Sequence, residues 1–196
     1  MSNAYDDSIW ELIPTDDRPL DDGLVARMDA FLAGADSVLD LGCGDGQYLS
    51  LLAGHCSDVY GADHSQVALD RAAGRAPSAN LSLVGDDNRL KLPDNCLSRV
   101  WCVDTIEHVV DTQTFLSEAR RVLAPGGRIF VATPSHSWKL RLKLAVSGWS
   151  EHFDPFGQHL RFYTARTLRY ALSECGFEVD DVHAEDGSLL ALATRR

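Results

Sequence analysis

Val38-Leu39-Asp40-Leu41-Gly42-Cys43-Gly44-Asp45-Gly46 is the stretch on which the fold turns. Ser37–Leu41 is a short apolar run, the pattern of a strand buried on both faces. It leads directly into glycines at positions 42, 44 and 46, and then into a helix-forming run from about Gln47 to Ala53. Glycine there lets the chain turn sharply and bring its backbone close to a ligand that a Cβ would block. Such a ligand sits at the carboxyl edge of a sheet, near a helix N-terminus.

Working outward, the same alternation repeats. Asp58–Ala62, Leu81–Val84, Ser98–Val103 and Arg128–Ala132 read as strands, and Ser65–Arg75 and Thr112–Leu123 as helices between them. Strands alternating with helices predict right-handed βαβ units and a parallel sheet covered on both faces. Upstream, Leu24, Met28, Phe31 and Leu32 share one face of a helix beginning near Asp21 and closed by Gly34. Residues 1–20 are polar and hold two prolines, with Tyr5 and Trp10 reading as exposed. Downstream, a helix over Ala165–Cys175 ends at Gly176, and Phe177–Val182 and Ser188–Thr194 flank Glu185-Asp186-Gly187. An acidic residue and a glycine between two such runs predict an antiparallel hairpin.

A length of 196 residues suits one domain. Acidic residues outnumber basic ones 29 to 18, giving a formal charge of −11. That balance argues against a nucleic-acid partner, because polyanion binding draws on clustered Lys and Arg. No apolar run reaches the roughly 18 residues of a membrane span, and the first residues lack the order of a signal peptide. Five cysteines with no C-x-x-C pair read as reduced thiols of a cytoplasmic protein.

The acids around the glycine loop point to the ligand's charge. A dinucleotide fingerprint wants a third glycine five residues after the first, but position 47 is Gln. Asp40 precedes the loop and Asp45 lies within it. Carboxylates repel a pyrophosphate and attract the ammonium of an amino-acid cofactor, which favours S-adenosylmethionine over NAD. Asp63 ends the second strand about twenty residues on, where an acid accepts from ribose hydroxyls. Gly85-Asp86-Asp87 follows the third strand and places a carboxylate at the adenine amino group. Each acid alone reads as a solvated loop residue; together, at the ends of successive strands, they converge on one ligand.

The run VLDLGCGDG…VYGADHS…GDDNRLKLPDNCLSRVWCVDTIEHVVD…RRVLAPGGRIFVATP resembles the class I S-adenosylmethionine-dependent methyltransferases over about residues 37–134. Within them it is similar to the ubiquinone/menaquinone-biosynthesis and small-molecule O-methyltransferases. The resemblance implies an α/β, Rossmann-like three-layer sandwich with a seven-stranded, mostly parallel sheet ending in an antiparallel hairpin. It implies Asp40, Gly42 and Gly44 around the methionine portion, Asp63 and His64 at the ribose, and Asp86 and Asp87 at the adenine. Val103 falls under the sulfonium region, and residues 1–20, with Tyr5, become a lid over the cofactor. Residues 134–163 become a substrate-covering insertion.

Methyl transfer from a sulfonium is an in-line displacement, so the protein mainly aligns donor and acceptor. A base is needed only where the acceptor loses a proton, and His108 is the candidate. Asp104, Glu107 and His108 stand at i, i+3 and i+4, one face if the segment is helical. That set also admits a divalent metal, against the plainer expectation of loop-bracing hydrogen bonds and no metal ligands. His136, His152, His159 and Tyr163 are candidates for lining the acceptor pocket. Residues 138–149, basic and apolar in alternation, fit either a peripheral membrane contact or a lid. The expected function is methylation of a small molecule, on oxygen before nitrogen or carbon. An NAD(P)-dependent oxidoreductase and a non-catalytic binding protein of the same fold are the rivals.

Overall fold

The computed structural model describes residues 3–15, 19–135 and 159–196. Its sheet grows from β1 (Ser37–Leu41), in which every residue is buried. β1 pairs in parallel with β2 (Asp58–Asp63) on one side and with β4 (Leu97–Val103) on the other. β3 (Asn80–Leu83) lies outside β2, and β5 (Leu123–Pro134) outside β4, both parallel. β7 (Ser188–Arg195) pairs antiparallel with β5 and with β6 (Phe177–Glu185), giving the order β3-β2-β1-β4-β5-β7-β6. The expected seven-stranded sheet and C-terminal hairpin are therefore present. β5 begins five residues before the expected Arg128, because Leu123 pairs with Leu97 before a register shift carries the pairing to Arg99 and Arg128.

Side-chain alternation along the central strands builds a core on each face. Leu39, Val100, Cys102, Ile129 and Val131 turn to one side. There they meet Leu116 and Ala119 of α5 (Thr112–Val122) and Leu168 and Leu172 of α6 (Ala165–Glu174). Val38, Trp101, Val103, Phe130 and Ala132 turn to the other. That side is covered by α2 (Asp22–Leu32), α3 (Gln47–Leu52) and α4 (Gln66–Arg75). Trp101 is fully buried, stacked on Phe130 with ring centroids 4.5 Å apart. The helix starts are fixed by side-chain caps: Asp21 accepts from the Leu24 amide, Ser65 from Ala68 and Asp111 from Thr114.

Two segments differ from the sequence expectation. Asn3–Leu12, read as a polar segment, forms a helix, α1. Residues 104–108, read as a possible helical face, form only a 3-10 turn over Ile106–His108, with Asp104 in the left-handed region at φ 47°. The N–H of Asp104 instead donates to the Ala132 carbonyl at the end of β5, which holds it to the sheet edge.

Candidate functional site

Where the strand order reverses, between β1 and β4, loops leave the carboxyl edge in opposite directions and open a crevice. A cavity of about 420 Å³ occupies it. Its floor is Leu41 at the end of β1 with Gly42 and Gly44 after it; Ala62 and Asp63 close β2 and His64 follows, Val84 and Asp86 follow β3, and Asp104 and Thr105 follow β4.

Gly42 and Gly44 have φ of 83° and 52°. A Cβ on Gly42 would overlap the Thr105 side chain, and one on Gly44 would lie 2.7 Å from the Trp10 ring. The glycines therefore serve the left-handed turn and a close approach at once. Asp63 stitches the loop to the next strand: its Oδ2 accepts from the Gly44 amide and its Oδ1 from the Ser65 amide, both at 2.9 Å. Burial pushes its carboxyl above the usual range, and those amides pull it partly back. A carboxylate has lone pairs for further donors, so ribose hydroxyls remain compatible with these bonds. His64 Nε2 lies 3.0 Å from Asn88 Oδ1, tying the end of β2 to the loop after β3.

Other expected residues lie apart. Asp40 is buried beneath the floor rather than lining it, with Oδ2 unpartnered. Burial first, and the Asp63 charge second, push its carboxyl up to about 8. Asp87 leaves the cavity that Asp86 lines, because neighbouring side chains diverge; its Oδ1 accepts from the Arg89 amide beside a shallow second depression. Val103 packs into the core on the same face as Trp101, two residues before it, and does not reach the cavity.

At the other end of the crevice, His108 lines the cavity and Glu107 lies beneath it, 2% exposed. Glu107 Oε2 accepts from the Thr133 hydroxyl at 2.8 Å, while Oε1 has no hydrogen-bond partner and stands 3.9 Å from His108 Nε2. Burial raises the Glu107 carboxyl. Its backbone carbonyl accepts from the Leu160 and Arg161 amides, which brings the neighbouring His159 against His108 although His159 does not itself line the cavity. The His108 and His159 rings meet edge to face at 4.9 Å, and burial, then the neighbouring His108, lower the His159 imidazole. Ligand atoms of Glu107, His108 and His159 lie within 4.8 Å of one another. The residues that could share an ion are thus these three. Asp104 is not among them, because the 3-10 turn breaks the i, i+3, i+4 face and leaves Asp104 exposed.

Tyr163 is buried, and its hydroxyl is 3.1 Å from Thr112 Oγ1, away from the cavity. His136, His152 and the 138–149 stretch lie outside the described residues. Sequence reasoning missed most of the wall that α1 supplies: besides the expected Tyr5, its Asp6, Ile9, Trp10 and the following Ile13 line the cavity. Their spacing, with Tyr5 and Ile9 four apart and Ile9 and Ile13 four apart, is a helical face that was available in the sequence.

Residues 39–131 match the model of a family described as a methyltransferase domain. A probable S-adenosylmethionine-dependent methyltransferase of Mycolicibacterium smegmatis is 35% identical over 149 residues, covering 76% of this chain and 54% of that protein. A ubiquinone biosynthesis O-methyltransferase of Coxiella burnetii is 30% identical over 112 residues, covering 56% of this chain and 48% of its own length. The chain thus spans about half the length of these relatives. The crystal structure of a putative methyltransferase from Bacillus halodurans superimposes with a TM-score of 0.73 at 19% identity, covering 87% of this chain and 98% of that one. Fold and family match place the chain among the α/β proteins with a reversed strand order that carry a methyltransferase domain. Over the matched residues it carries a methyltransferase domain similar to those of the class I S-adenosylmethionine-dependent methyltransferase family.

S-adenosylmethionine is the cofactor that this family implies. The residues present fit it: the cavity falls in the range of roughly 300–1,000 Å³ usual for small-molecule sites. The glycine floor admits a backbone-close ligand, and the unpartnered Asp40 oxygen beneath it is a buried polar atom that a cationic group above the loop would draw towards its charged form.

Proposed function

We propose that this chain transfers the methyl group of S-adenosylmethionine to an oxygen of a small acceptor, ahead of nitrogen or carbon. The observation that carries this reading is the crevice itself, whose floor joins the glycine loop to acids at the ends of β2 and β3. The similarity to a ubiquinone biosynthesis O-methyltransferase supports oxygen as the acceptor.

When bound, the cofactor supplies a methyl group on a sulfonium, open to in-line displacement. The chain's own residues hold and align it. Asp63 accepts from the ribose hydroxyls with His64 beside it, Asp86 takes the adenine amino group, and the Gly42–Gly44 backbone follows the methionyl chain. Asp40 lies beneath the loop without touching the ligand, and gives up its proton only when the methionyl ammonium sits above it. His108 takes the proton that an acceptor hydroxyl gives up as its oxygen bonds to the methyl carbon, and Glu107 stands behind the resulting imidazolium. A divalent ion on Glu107, His108 and His159 is a second reading, favoured by the closeness of their ligand atoms. Activity that persists after exhaustive chelation removes it.

A methyl-transfer screen with labelled cofactor against phenols, quinone precursors, amines and carboxylates tests the proposal. Label is expected in phenols or quinone precursors, and His108→Gln is expected to lower that rate by about 10²–10⁴. Label confined to amines would overturn oxygen as the acceptor, and full activity in His108→Gln would remove the base. No helix of the described residues is long and apolar enough to cross a membrane, and the cytoplasm is the compartment we propose.

A further inference from the structure

α1 brings two side chains to the cavity that the strand-end acids leave unexplained. Asp6 and Trp10 stand one turn apart on its inner face, and both line the cavity. The helix is fastened from outside. Asp7 Oδ1 accepts from the Ser65 hydroxyl at 2.7 Å and from the Val67 amide at 3.1 Å, and Arg71 donates to the Ile13 carbonyl at 3.0 Å. Its inner face is therefore a fixed wall.

Covalent structure dictates what that wall faces. The sulfonium joins the ribose to the methionyl chain, so with the ribose at Asp63 and the methionyl chain along the glycine loop it lies between them. Those anchors are adjacent, since the Gly44 amide donates to Asp63 Oδ2. Trp10 stands at that junction, its Cζ2 and Cη2 atoms 2.7 and 2.8 Å from the point where a Gly44 Cβ would lie. Asp6 lies in the field of His64, next to Asp63, and of His108 at the acceptor end. Asp63 is already engaged by two amides and Asp40 lies beneath the floor. Asp104 lines the floor after β4, and on the opposite wall an aromatic ring and a carboxylate are further groups placed to meet a positive charge, which both stabilise.

We propose that Asp6 and Trp10 read the charge of the donor, favouring cationic S-adenosylmethionine over the neutral thioether S-adenosylhomocysteine that transfer leaves behind. α1 is then a specificity wall that loosens its hold when the methyl group departs. This rests on the placement of the cofactor given above.

Calorimetric titration of S-adenosylmethionine and S-adenosylhomocysteine into the full chain and its Asp6→Asn, Trp10→Leu, Trp10→Phe and Asp63→Ala variants tests it. Asp6→Asn and Trp10→Leu are each expected to weaken the sulfonium ligand about two- to fivefold more than the thioether, with Trp10→Phe close to the parent. Parallel loss of both ligands in Asp6→Asn and Trp10→Leu, or no change in either, overturns the proposal and reduces α1 to a cover. Asp63→Ala separates the two levels: loss of both ligands together is expected from the ribose placement. Unchanged thioether affinity in that variant overturns the placement, and with it the charge reading.

Discussion

Asp40 occupies the middle of a buried strand, and the titratable groups facing it are Asp63 from β2, Cys43 from the loop, Tyr48 from α3 and Cys102 from β4. None of these supplies a positive charge, so the folded chain holds a proton on Asp40 that the unfolded chain releases. With a folded value of about 8 against the ordinary carboxyl value of 3.8, its contribution to stability is fully present below the unfolded value. It is lost as pH rises through the folded one. Urea unfolding of the ligand-free protein is therefore expected to show stability falling across that window, and Asp40→Asn is expected to flatten the fall. An unchanged slope in the variant would assign the proton elsewhere. Gly42 carries a different constraint, a φ of 83° with Thr105 against it. Gly42→Ala is expected to cost about 1–3 kcal/mol in the same experiment and to abolish S-adenosylhomocysteine binding. That Asp63, Asp86 and the glycines reach the crevice was legible because a strand end fixes where a residue must lie. Asp87 and Val103 line no part of the cavity, one being a position away from Asp86 and the other turned to the core face, shifts that a period of 2 makes easy. The unpartnered oxygens of Asp40 and Glu107 left no mark on the sequence, since burial of a particular atom depends on everything packed around it.

Among the elements, α1 departs furthest from the sequence reading. Its inner face is apolar enough to pack, but the segment is short, flanked by proline, and rich in acids, so nothing local demands a helix. What holds it is tertiary: Asp7 on the start of α4, Arg71 on the Ile13 carbonyl, and Trp10 on the glycine loop. Asp7→Ala removes the acceptor for the Val67 amide and the Ser65 hydroxyl. Hydrogen exchange is expected to quicken through residues 3–15 and stay unchanged in β1 and β4; uniform exchange would mean that α1 is held by other contacts. The 104–108 segment errs in the opposite direction. Its spacing suited a helical face, but Asp104 bonds the end of β5 and only one 3-10 turn follows, so His159 rather than Asp104 joins Glu107 and His108. A partner about fifty residues distant lies beyond any local pattern.

For the molecule as a whole, the sheet order was legible because each βαβ unit has one favoured hand and the last two strands announce a hairpin. Of the two cores that flank the sheet, the one under α2, α3 and α4 holds Trp101, buried between α2 and α3 and stacked on Phe130. Trp101→Ala is expected to cost about 3–5 kcal/mol in urea unfolding and lower Tm accordingly. A cost below about 1 kcal/mol would mean that this layer is not the core. The crevice is a product of this same order, since it opens where neighbouring loops diverge at the β1–β4 reversal. Its acids are what separate a sulfonium nucleoside from a dinucleotide. Calorimetric titration of the unmodified chain with S-adenosylhomocysteine and with NAD puts that difference to the test. Saturable binding of S-adenosylhomocysteine at one site, at least about a hundredfold tighter than NAD and thus favoured by roughly 2.7 kcal/mol, is the predicted result. NAD binding as tightly or more tightly would contradict the cofactor on which the whole account stands.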